Sequence, residues 1–134
     1  MTAIVCIEDR GGILFLNRRV GRDAFVSRDI ASDHNSVLMT EYSRPLFDGL
    51  DIDTVISKSP LSAAGDSDVC FIESGDIKDN LDRISRLIVY NWNRRYPSDV
   101  KLGFSPGDVG YRLVASSEFV GNAHEKITKE IYEK

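Results

Sequence analysis

The chain has 134 residues, of which 42% are hydrophobic and 28% charged, with a net charge of −4. That balance excludes a disordered polymer, and the length suits one domain burying roughly two thirds of the surface its unfolded form exposes. The acidic charge opposes a general affinity for DNA or anionic membranes, no apolar run approaches the ~18 residues of a membrane span, and Met1-Thr2-Ala3 lacks the charged start of a signal peptide, so a cytoplasmic protein is expected.

Ala3 to Ile7 is a continuous apolar run, the pattern of a strand covered on both faces and therefore central. Asp9 to Gly12 reads as a turn, Ile13 to Leu16 as a second apolar run, strand or packed loop, and Asn17 to Gly21 as a polar link carrying Arg18 and Arg19. From Arg22 to Asp33 the period becomes helical, with Phe25, Val26 and Ile30 near one face and Asp23 in the first turn, where a carboxylate suits the helix dipole. Val37 to Met39 is a short buried strand, and Ser43 followed by Pro45 marks a helix start. Asp53 to Lys58 is a third strand, Ser59 to Asp68 a loop, and Val69 to Ile72 a fourth strand. Ser74-Gly75-Asp76 opens a helix with Ile77, Leu81 and Ile84 at i, i+4 and i+7.

Leu87 to Tyr90 is again apolar and β-favouring, and it runs into Asn91 to Tyr96 (NWNRRY) before Pro97 ends the segment. Val100 to Gly110, rich in Gly and Pro, reads as a surface excursion. Tyr111 to Phe119 and Ile127 to Tyr132 alternate as an antiparallel pair, with Gly121 to His124 at the bend. Strands and helices alternate through the first two thirds and strands alone follow. The expectation is a single α/β domain spanning residues 1–134, with a mixed sheet in two or three layers and antiparallel C-terminal strands.

Chemistry-bearing residues are sparse. Cys6 and Cys70 sit in apolar runs as small buried hydrophobes, with no second Cys or His at ligand spacing, and no metal site is expected. His34 and His124 are far apart and read as exposed turn histidines. No Gly-x-Ser-x-Gly elbow exposes a nucleophile, and Asp66, Asp68, Asp76 and Asp79 lack calcium-loop spacing. The most suggestive surface is Trp92, Arg94, Arg95 and Tyr96, where guanidinium groups could grip phosphate and rings could stack on bases. Strand alternation offers the opposite reading, Trp92 inward and Asn91 and Asn93 toward water, and the net acidity favours it over RNA binding.

The layout resembles a short dihydrofolate reductase. Ala3 to Gly12 is similar to that family's first strand and Gly-containing turn, Ile13 to Arg19 to its substrate-covering loop, and the helix with Asp23 and Phe25 to the one bearing the carboxylate that contacts the pterin. Val37 to Phe47 (VLMTEYSRPLF) and Asp53 to Ser59 resemble the two units that hold coenzyme phosphate, and Ser85 to Asp99 with Tyr111 to Lys134 resembles the last three strands. The resemblance implies ligand-binding roles for Asp23, Phe25, Thr40 and Ser57, with Asp23 the one candidate catalytic group. It also has gaps. Between Ile72 and Arg86 there is no Gly-Gly to bring backbone N–H groups against a pyrophosphate, Glu41 stands where a basic residue belongs, and Asn17 to Gly21 contains no Trp.

The expected protein is therefore a dihydrofolate reductase-like domain that binds a protein or a small heterocyclic ligand, without a cofactor. The alternative is a small reductase using NADPH through a non-standard site. Open sheet edges leave self-association as a further expectation.

Overall fold

The first strand is the centre of the molecule. In the computed structural model, which describes residues 1–134, β1 (Thr2–Ile7) is followed by a hairpin of β2 (Gly12–Phe15) and β3 (Arg18–Arg19), then α1 (Ala24–Asp33), β4 (Ser36–Met39), β5 (Asp53–Ile56), α2 (Pro60–Ala63), β6 (Val69–Phe71), β7 (Arg86–Asn91), β8 (Val100–Lys101), β9 (Arg112–Phe119) and β10 (Ile127–Glu133). Short 3-10 segments lie at Arg44–Phe47, Gly75–Arg83 and Pro106–Val109. Seven strands form one mixed sheet in the order β5-β4-β6-β1-β7-β10-β9, and β3-β2-β8 form a small second sheet. The first five strands of the main sheet are parallel, and β10 joins β7 and β9 antiparallel, as the alternation of elements implies.

Both faces of the central strands are covered, and their runs are apolar throughout for that reason. Ala3, Val5, Leu87 and Val89 pack into one core with Ile13, Leu61, Ile77 and Leu102. Ile4, Ile88 and Tyr90 pack into the other, against Val26 and Ile30 of α1 and Phe47. The result is three layers. No helix is long and apolar enough to cross a membrane.

Several local expectations are corrected. The link at Asn17 to Gly21 contains a strand, β3, reached through a two-residue turn in which Leu16 and Asn17 have φ of 50° and 63°. Within the loop expected over Ser59 to Asp68, Pro60 nucleates the single turn of α2. The α-helix expected from Ser74 is instead a 3-10 pair broken at Asn80, where φ is −125°. The Asn80 side chain donates to the Asp76 carbonyl at 2.8 Å, offering that oxygen a partner outside a regular helical ladder. The excursion after Val100 is not wholly on the surface, since β8 pairs with β2 and Leu102 is buried. At the sheet edge, β9 is exposed from Arg112 through Glu118.

Candidate functional site

The N-terminus of α1 is built around Asp23. Its backbone is extended, and its Oδ1 accepts from the Phe25 amide at 3.0 Å, the ordinary N-cap bond. Three further donors come from the other end of the chain, at the turn between β9 and β10. The Asn122 amide donates to Oδ1 at 2.8 Å, the Ala123 amide to Oδ2 at 2.7 Å, and His124 Nδ1 lies 3.0 Å from Oδ2. The carboxylate has no solvent exposure. Burial alone would push the Asp23 carboxyl up, but the Asn122 amide, the His124 ring and the Ala123 and Phe25 amides together hold it below the ordinary carboxylate range.

His124 extends this knot. Its Nε2 is 2.8 Å from the Tyr96 hydroxyl, and its ring stacks on Trp92 with centroids 4.6 Å apart and planes 18° from parallel. Gly21 lies against the same group, where an added Cβ would come within 3.5 Å of Tyr96, Trp92 and His124 atoms. His124 is thus a buried structural residue, not an exposed turn histidine, because both ring nitrogens are engaged. Trp92, expected on the interaction surface, is 3% exposed and packs inward as strand alternation requires. Arg94 and Arg95 are exposed, and Tyr96 is half-buried with Arg94 Nη1 3.4 Å from its hydroxyl.

Beside Asp23, lined by Cys6, Gly21, Val26, Phe71, Glu73 and Trp92 among others, is a small chamber of about 20 Å³, room for a single water. Phe25 does not line it; its ring is 36% exposed and lies beneath Arg28.

A larger space lies at the carboxyl ends of β4, β5 and β6, the position where open α/β sheets place ligands. This crevice holds about 260 Å³ and is lined by Thr40, Lys58, Ser59, Glu73, Asp76 and Asp79 with their neighbours. Thr40 is therefore at a cavity. Ser57 is beside it without lining it, and its hydroxyl accepts from the Ser59 amide at 3.1 Å. Three carboxylates face one lysine, and Asp76 occupies the first turn of its own 3-10 segment, where the Ser74 hydroxyl donates to it at 3.1 Å.

Glu73 joins crevice and chamber, as does Phe71. Its carboxylate, 10% exposed, takes a two-pronged pair from Arg19, Nε at 2.7 Å and Nη2 at 2.9 Å, and accepts from the Ser43 hydroxyl at 2.8 Å. The Arg19 guanidinium is centred 4.2 Å from the Tyr42 ring and Nη2 donates to the Tyr42 carbonyl, while the Arg19 amide donates to the Tyr42 hydroxyl at 3.0 Å. The Glu73 pairing keeps the Arg19 guanidinium above its ordinary pKa. Sequence reading missed Arg19, Glu73 and His124 as site residues. Their partners are remote in the chain, and the one local signal was a charged residue closing the apolar run VCFI.

No family model and no curated protein matches the sequence. Among solved structures, dihydrofolate reductase from Enterococcus faecalis, in complex with NADP(H) and RAB-propyl, superposes with a TM-score of 0.66 over 98% of this chain and 94% of that one, at 12% identity. At that identity the likeness is one of fold. The architecture is dihydrofolate reductase-like, as the order of elements implies.

Proposed function

From a dihydrofolate reductase-like fold, we propose a domain that binds a small polar ligand or a protein partner and performs no reductase chemistry. The observation carrying this reading is Asp23. The carboxylate that the fold resemblance nominates to hold a heterocycle instead receives four donors from within the chain, beside a chamber of about 20 Å³. Its side chain has no exposed surface with which to orient a substrate, although the residue also borders an open groove of about 440 Å³ with Arg22, Pro45 and Asn122.

The crevice supports the same reading. A coenzyme pyrophosphate there would face Asp76 and Asp79 against Lys58, with Glu73 already paired to Arg19. Both carboxylates are exposed, so solvent screens their repulsion, but its sign still opposes an anionic ligand. The segment after β6 reads Ile72-Glu73-Ser74-Gly75, and a buried carboxylate occupies the place where backbone N–H groups would have to approach a phosphate. A neutral or cationic polar ligand suits this lining, and the exposed Arg94 and Arg95 offer a second contact surface for a protein partner.

Titration with NADPH, following coenzyme fluorescence, tests the proposal. No saturable change is expected, and saturable binding at micromolar coenzyme would overturn it in favour of a reductase with a non-standard coenzyme site.

A further inference from the structure

A further open groove, of about 520 Å³, lies on the sheet face away from α1 and shares no residue with the crevice or with the spaces beside Asp23. Its volume is within the ~300–1,000 Å³ of small-molecule sites. Three strands carry its floor: Ile7 ends β1, Val89 lies in β7, and Glu130 and Tyr132 lie in β10, with Glu130 directly opposite Val89. Leu102 and Phe104 form a wall, and Asp9, Arg10 and Lys101 stand exposed at the margin. The turn carrying Asp9 and Arg10 is held from inside. Glu8, with no solvent exposure, accepts from the Arg10 amide at 2.8 Å, the Gly12 amide at 3.0 Å and the Tyr96 amide at 3.2 Å, and the Leu102 amide donates to the Gly11 carbonyl at 2.9 Å. Margin and wall are therefore fixed to each other before any ligand arrives.

The charges of the groove are unmatched within the chain. No ion pair uses Asp9, Lys101 or Glu130. Arg10 is half-exposed; its Nη2 donates to the Tyr96 carbonyl and its Nε lies 3.8 Å from Glu8, which leaves other guanidinium donors free. Glu130 is half-buried beside Val89, on a floor whose one other polar group is the Tyr132 hydroxyl. Burial first, and then the charge of Glu130, push the Tyr132 phenol above its ordinary range, so hydroxyl and carboxylate lie near each other.

We infer that this groove is a ligand site of its own, for a small zwitterion with an apolar body, the chemistry of an apolar amino acid. The class follows from the charges. An anion drawn by Arg10 and Lys101 meets Glu130 on the floor, and a cation drawn by Glu130 meets Arg10 and Lys101 at the margin. A wholly apolar ligand buries Glu130 without a partner. A molecule with one ammonium and one carboxylate matches both signs. Its ammonium donates to Glu130, its carboxylate accepts from Lys101 and the free donors of Arg10, and its apolar part covers Ile7, Val89 and Phe104. The site is separate from the crevice, so coenzyme binding there, or its absence, leaves this inference standing.

Amide NMR of the native protein, titrated with L-phenylalanine, tests the site and locates it. Saturable shifts are expected at Gly11, Gly103 and Phe104, with Thr40 and Ser59 of the crevice unmoved. Two analogues test the class. Phenethylamine lacks the carboxylate and hydrocinnamate lacks the ammonium, and each should bind about tenfold more weakly than L-phenylalanine. Glu130→Gln should weaken L-phenylalanine about tenfold without weakening hydrocinnamate, and Lys101→Ala, with Arg10 remaining, should weaken L-phenylalanine about fivefold without weakening phenethylamine. Absence of saturable shifts with L-phenylalanine overturns the site, as do shifts that map to the crevice. Equal affinity for the amino acid and either one-charge analogue overturns the ligand class. The analogue comparison uses the native protein, so it decides the class even where a variant fails to fold.

Discussion

The Asp23 carboxylate accepts hydrogen bonds from both ends of the chain, so its removal costs more than a helix cap. Asp23→Ala strands the Asn122 and Ala123 amides and one nitrogen of a buried imidazole, and should destabilise the fold by about 3 kcal/mol or more in urea titrations. Its pH signature follows from a folded pKa below the unfolded one. The stabilisation is fully present above the unfolded pKa of about 4 and is lost as pH falls through the folded value. Asp23→Asn should therefore flatten the acid limb of stability against pH, which denaturation midpoints between neutral and acid pH would show. Gly121 obeys the same geometry. An added Cβ would lie 2.5 Å from Asp23 Oδ2 and 2.7 Å from Ile127 Cδ1, so Gly121→Ala should destabilise the fold by pushing the turn off α1.

At the scale of elements, the segment after β7 separates into inward and outward halves. Trp92→Ala removes a buried ring stacked on His124 and should cost about 3–5 kcal/mol, whereas Arg94→Ala with Arg95→Ala should shift stability by about 0.5 kcal/mol or less, both measured by thermal melting. The sequence made the sheet legible because each central strand is an unbroken apolar run, a pattern that burial on both faces demands. Its 3-10 segments were less legible. Ile77, Leu81 and Ile84 have α-helical spacing, but Asn80 between them bonds back to Asp76 and breaks the run, a local competition that hydrophobic spacing does not register. The hairpin was obscured because Leu16 and Asn17 adopt positive φ without a glycine to advertise the turn. Site residues were hardest to read. Asp23 was found, but its role depends on His124, and Glu73 is defined by Arg19, pairs that only the fold brings together.

Across the whole molecule, β1 organises the sheet but must wait for its neighbours. Thr2 pairs with Val69 on one side and with Arg86 on the other, and β7 then receives β10 from the end of the chain. In a chain made from its N-terminus, the AIVCI segment therefore emerges apolar and unpaired, and most of the domain must be synthesised before both its edges can be satisfied. Such non-local pairing predicts refolding over roughly milliseconds to seconds rather than microseconds. The single tryptophan, Trp92, reports the last stage, since its stack on His124 forms only when the β9–β10 turn seats against α1. Stopped-flow fluorescence should show that signal developing after the main rise in circular dichroism, and while it is missing the chain is open to association through its oldest strand.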